Sequence, residues 1–164
     1  MENNNEYTNA QPPVSSDYSD KLKWHKFLIY FALWAGAVLN VISGIRILTG
    51  SIYGSNVDAV YRTYGGLKTI DVLYGLLLCA LAVYQIYVRF QLAGFKKEAP
   101  GKLSMMYIIT ILLGLAYMLV VSAVTRISIS ALLDSSTVGS YIGSIVFLFI
   151  NKAYYGKRSH LFVN

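Results

Sequence analysis

Four apolar stretches, residues 27–48, 70–92, 103–125 and 137–151, decide what this chain is able to fold into. Each approaches or reaches the ~20 residues that a helix needs to cross a hydrocarbon layer ~30 Å thick. In lipid every backbone N–H and C=O must find a partner inside the protein, so a spanning segment is either a helix or part of a closed barrel. A barrel needs many alternating strands of ~10 residues, and residues 107–124 do not alternate. The sequence therefore reads as an all-α integral membrane four-helix bundle, with helices over 24–48, 68–92, 103–127 and 136–155. Composition agrees: 13% of the residues are charged and 55% hydrophobic, whereas a soluble domain carries ~25% charged residues.

A net charge of +6 would suit nucleic acid, but the placement of the charges does not. Lys21, Lys23 and Lys26 precede the first run, Arg89, Lys96, Lys97 and Lys102 lie between the second and third, and Lys152, Lys157 and Arg158 close the fourth. The remaining basic residues, Arg46, Arg62, Lys68 and Arg126, fall at or between the opposite ends. Short basic loops stay in the cytoplasm, which predicts a multi-pass plasma-membrane protein with both termini and the 2–3 connection inside. The expected partners are the lipid bilayer and anionic lipid head groups at the inner basic rim, worth ~1 kcal/mol per basic residue near the surface; no nucleic acid is expected. Trp24, Tyr30, Tyr87, Tyr107, Tyr154 and Tyr155 sit where amphipathic rings favour the inner boundary.

Residues 1–20 are polar and hold two of the three prolines, so they read as a disordered cytoplasmic tail ahead of a bundle over 21–158. Residues 159–164 form a second short tail. The connection 49–66 is the longest and carries Tyr53, Tyr61 and Tyr64. It reads as a loop packed across the helix ends, with a short helix over 57–62, or as an external recognition surface. Gly94, Pro100 and Gly101 stop the second helix and reset the chain for the third.

The candidate polar or ion-pair site comprises Asn40, Arg46, Asp71 and Arg126. Charge at the bilayer centre is a functional hypothesis by default, but Arg46 and Arg126 close helices and Asp71 opens one, with Thr69 as a candidate cap. Each complements a helix dipole, as does Asp134 before the fourth run, and Asp71 is placed to pair with Arg46. The rival reading is a proton- or ion-coupled site at the outer mouth of the bundle. Asn40 lies deeper, on a line with Ala32, Gly36 and Gly44, four residues apart on one helix face. Thr110, Gly114 and Ser122 form a comparable stripe in the third run, and Gly139 and Gly143 beside Ser140 and Ser144 in the fourth. These small-residue faces read as the inner seam of the bundle, or as surfaces for homo- or hetero-oligomerisation. No wider polar stripe of the kind a pore needs runs through any single helix.

No catalytic, metal-binding or cofactor-binding constellation stands out, and the chain is not expected to be an enzyme. His25 and His160 neighbour lysine or arginine rather than an acid, and no HExxH, CxxC or phosphate-cradling glycine loop occurs. Cys79 is the one cysteine and reads as a small hydrophobe within an apolar helix. Small four-helix drug exporters carry a glutamate in the first membrane helix; the first run here has no acid.

The closing segment, Asn151-Lys152-Ala153-Tyr154-Tyr155-Gly156-Lys157-Arg158-Ser159-His160-Leu161-Phe162, resembles the end of uncharacterised four-span membrane proteins of Gram-positive bacteria. Those finish the fourth helix with Asn, an aromatic pair, Lys-Arg and Leu-Phe. The resemblance implies a four-span layout in a bacterial plasma membrane and no particular activity. Some such proteins carry a cysteine-rich zinc ribbon before the first helix, and this chain has no cysteine there. The functional expectation is a non-enzymatic binding or regulatory partner of other membrane components. The alternative is a small oligomeric transporter or channel subunit.

Overall fold

The computed structural model describes residues 22–133 and 135–163. The 1–20 tail, Lys21, Asp134 and Asn164 lie outside the described residues. All regular structure among the described residues is helical. Helix α1 runs in three consecutive pieces: Lys23–Phe27, a π-helical segment Leu28–Ala32, and Leu33–Leu48. A 3₁₀ turn, Ser51–Asn56, leads into the short α2, Val57–Thr63. Then follow α3, Leu67–Ala93, and α4, Ala99–Thr125. The short α5, Ile129–Leu132, precedes α6, Ser135–Gly156, and a last 3₁₀ turn, Ser159–Leu161.

Among the described residues three stretches are long and apolar enough to cross a membrane: Lys23–Thr63, Leu67–Ala93 and Ala99–Thr125. Helix α6 has 22 residues, which at ~1.5 Å per residue is ample length. Its first half holds Gly139, Ser140, Gly143 and Ser144, and it does not join the other three in apolar character. Large apolar side chains of every long helix, among them Leu39, Val83, Leu119 and Phe149, point outward. In water such a surface would drive association, and in lipid it is the expected one.

Several boundaries differ from the sequence reading, each for a local reason. Gly66, in the left-handed conformation at φ 89°, stands at the start of α3; Thr69 is inside the helix and does not cap it. Asp71 is consequently beyond the first turn. Helix α4 begins at Ala99 rather than near 103, with Pro100 inside its first turn, where a missing N–H costs nothing. It stops at Thr125, and Arg126 closes it at φ 61°.

The π segment has a visible cause across the helix pair. The Leu33 N–H reaches back five residues to the Leu28 carbonyl, and Arg89 of α3 donates from Nε to the Ile29 carbonyl at 3.0 Å. The wider turn leaves that carbonyl open to a side chain from the neighbouring helix. Farther along, α1 and α3 close to backbone contact. A Cβ on Gly44 would lie 2.9 Å from the Gly75 carbonyl oxygen, and one on Gly75 would lie 2.8 Å from that of Gly44. Only residues without a side chain permit this approach.

Packing then proceeds in chain order. Helix α4 joins α3 through Tyr117 stacked on Tyr74, 4.0 Å apart and 9° from parallel. Helix α6 joins α4 where Gly114 leaves room for the Tyr141 ring. Helices α1 and α6 meet at the end where α1 begins, through Trp24, His25, Phe147, Asn151 and Tyr155. The buried core gathers at that same end, around Leu28, Leu33, Val88, Leu92, Leu103 and Phe162. The chain's most basic segments, from Lys23, Arg89 and Lys97 to Lys152, border it. The start of α1 and the end of α6 are thus tied together at the basic end.

Candidate functional site

Asp71 is fully buried, and three tyrosine hydroxyls donate to it. Tyr117 of α4 reaches Oδ1 at 2.8 Å, while Tyr53 of the 3₁₀ turn and Tyr61 of α2 both reach Oδ2 at 3.0 Å. A carboxylate has about four acceptor positions, and these hydroxyls stand in for the water that burial removes. Tyr53 and Tyr61 also meet edge to face at 5.6 Å. The 49–66 connection is therefore folded over the start of α3 and fastened to it. Arg46 and Arg126 are exposed, and among the described residues neither is joined to Asp71. The Arg46 carbonyl accepts from the Thr49 and Ser51 hydroxyls. The expected Arg46–Asp71 pair gives way to tyrosines, because the dipole effect fades beyond the first turn and three phenols supply the donors instead.

Beneath this cage a polar cleft of about 340 Å³ separates α1 from α6. Asn40 and Ser43 of α1, Tyr74 of α3, Thr110 and Gly114 of α4, and Ser140, Tyr141 and Ser144 of α6 line it. The polar surface is assembled from four helices, which is why no single helix displays it. Some of its hydroxyls are spent on their own helices: Thr110 donates to the Met106 carbonyl at 2.9 Å and Ser144 to that of Ser140 at 2.9 Å. The hydroxyls of Tyr74 and Tyr141 lie near enough to influence each other, yet form no hydrogen bond among the described residues. No charged side chain lines the cleft. A lining of hydroxyls and an amide fits a neutral polar group, a hydroxyl or amide, better than an ion.

The wall on the α3 side is held by an amide pair. Asn40 donates from Nδ2 to Gln85 Oε1 at 2.9 Å, and Gln85 is buried. Gly36 lies directly against the Gln85 amide, leaving no room for a side chain of its own. The line Ala32, Gly36, Asn40, Gly44 therefore faces α3, with Gly36 and Gly44 at its two tightest points. Gly114 faces Tyr141. Gly139 and Gly143 meet nothing within 4 Å of where a Cβ would stand, so these two glycines do not join the seam, while Ser140 and Ser144 beside them line the cleft. Ser122 also leaves the stripe: its hydroxyl donates to the Ile127 carbonyl at 2.7 Å and helps end α4.

At the basic end, Trp24 Nε1 donates to Asn151 Oδ1 at 2.9 Å, and Asn151 is 1% exposed. His25 is 2% exposed. Its Nδ1 lies 3.0 Å from the Tyr155 hydroxyl, and its ring stacks on Phe95 at 4.9 Å. Both ends of the resembling C-terminal segment, Asn151 and Phe162, are thereby buried against the start of α1. His25 Nε2 and Asn151 Nδ2 are buried without a hydrogen-bond partner among the described residues. Nearby, Glu98 pairs with Lys102 at 2.9 Å, and that hydrogen bond holds its carboxyl below the usual range. Among the described residues no three His, Cys, Asp or Glu side chains converge as a metal site would need.

Sequence reasoning overlooked Gln85, Gly75, Tyr117 and Tyr141. Gln85 had a signal, an amide inside an apolar run. The tyrosines had none, because membrane tyrosines are common and their partners lie on other helices. No family model, no curated protein and no solved structure matches the chain.

Proposed function

We propose that the chain is a four-span protein of the bacterial plasma membrane, with both termini cytoplasmic, that binds or regulates another membrane component without catalysis. The observation that carries this reading is the cleft between α1 and α6. It offers an amide and two tyrosine hydroxyls that form no hydrogen bond among the described residues; within a bilayer an unmet polar group is costly and a complementary one is favoured. Its natural occupant is a polar side chain on a helix of a partner. The placement of basic residues supports the orientation, and the Asn-aromatic-basic ending of α6 supports the kinship with Gram-positive four-span proteins.

A second reading, a small oligomeric transporter or channel subunit, draws on one further contact. The Tyr74–Tyr117 stack joins the cleft lining to the Asp71 cage, so a neutral solute in the cleft would sit one ring away from a buried acid. Photo-cross-linking separates the two. A photoreactive residue at Ser43 or Ser140 in native membranes should capture one defined protein that Leu39, on the lipid-facing surface, does not. Equal capture from all three positions would remove the partner reading. Absence of capture together with flux of a neutral solute in proteoliposomes would install the transporter reading in its place.

A further inference from the structure

Helices α1 and α3, both long and apolar enough to cross a membrane, hold a cation between them at their basic end. Arg89 lies four residues before the end of α3 at Ala93, ~6 Å along the axis at ~1.5 Å per residue. From that level a long basic side chain reaches the lipid head groups. The guanidinium is held by three contacts. Its Nε donates to the Ile29 carbonyl at 3.0 Å, and its carbon stands 4.7 Å from the centre of the Phe90 ring and 5.3 Å from that of Trp34. Both rings are exposed. The two Nη nitrogens have no hydrogen-bond or ion-pair partner among the described residues. Glu98, the acid closest in sequence, is engaged by Lys102. An apolar groove of about 190 Å³ begins at the same Trp34 and follows α1 through Val38, Val41 and Ile42. Ile86 of α3, one turn from Arg89, forms its other side.

We infer that this surface binds an anionic phospholipid, with its phosphate on the Arg89 guanidinium and the upper part of one acyl chain in the groove. A guanidinium presents paired N–H donors that match phosphate oxygens two at a time. The contacts at Ile29, Trp34 and Phe90 fix its orientation before the lipid arrives. The groove selects what is attached to the phosphate. Its walls are aliphatic and aromatic side chains, which give soluble phosphate nothing to hold. One turn of a partner helix, ~10 Å across and ~5.4 Å long, fills about twice the volume of the groove, whereas an acyl chain is one carbon wide. Trp34 and Phe90 already face one cation, so a choline head group would bring a second beside it. The site rests on α1 and α3 crossing the membrane and is independent of the cleft between α1 and α6.

The test is native mass spectrometry of the full chain released from nanodiscs of phosphatidylcholine mixed with phosphatidylglycerol. One phosphatidylglycerol should be retained in preference to phosphatidylcholine. Arg89→Gln should lower its retention about fivefold, the contribution of one basic group at the surface. Val38→Trp should lower it similarly without changing the charge, since Val38 is exposed and borders the groove. Two controls should leave retention unchanged: Lys97→Ala, which removes a charge at the same end, and Leu39→Trp, which adds the same ring at an exposed position outside the groove. Equal retention of the two lipids, or equal loss in the controls, overturns the site. A photoreactive residue at Val38 in native membranes should capture lipid. Capture instead of one defined protein, abolished by Arg89→Gln, would put an acidic side chain of a partner helix in place of the lipid and overturn the assignment.

Discussion

The Tyr117 hydroxyl donates to Asp71 Oδ1 across 2.8 Å, joining α4 to α3, while Tyr53 and Tyr61 hold the other oxygen from the 49–66 connection. A single carboxylate thus fastens three separate parts of the chain. Replacing Tyr117 with Phe removes the deepest donor and should cost ~1–3 kcal/mol, read as a lower apparent melting temperature in detergent. Tyr61→Phe should cost less, because Tyr53 still serves the same oxygen. An equal melting temperature for Tyr117→Phe and the parent would mean that the cage does not hold the bundle together.

The glycines of the α1–α3 seam make a contrasting prediction. Gly44→Ala forces a methyl group against the Gly75 backbone and should destabilise by ~1–3 kcal/mol, as overpacking does. Gly143→Ala meets open space and should be neutral or mildly stabilising, since alanine favours the helix. The pair is measured in one thermal series. A reversed order would place the tight face on α6.

The Asn40–Gln85 hydrogen bond invites a double-mutant cycle. Asn40→Ala and Gln85→Ala should couple by ~0.6–1.7 kcal/mol, the range for hydrogen bonds between membrane helices. Strict additivity would show that the two amides act separately. The cleft wall would then lack the support assigned to it.

Much of the frame was legible in the sequence because apolar runs and basic ends report directly on lipid. The small-residue line through Gly36 and Gly44 was legible too, since its four-residue spacing marks one helix face. The sites were less so. Asp71 showed itself as an acid near a helix start, but its partners come from positions 53, 61 and 117, and no local pattern connects them. The α1–α6 cleft is polar only as the sum of four helices, each mainly apolar. The C-terminal Asn151 and Phe162 carried a resemblance, while their burial against Trp24 and His25 depends on how the ends of the chain meet.

The proposed function requires four crossings and one cytoplasmic basic face, so the most direct measurement is the sidedness of single cysteines in intact cells. In a Cys79→Ser background, Gly54→Cys and Ser130→Cys should react with a membrane-impermeant maleimide added outside. Lys97→Cys and Lys157→Cys should react only after permeabilisation. That pattern requires α6 to cross as well as the other three. Labelling of Lys157→Cys from outside, with Lys97→Cys still protected, would show that α6 does not span and would contradict the account.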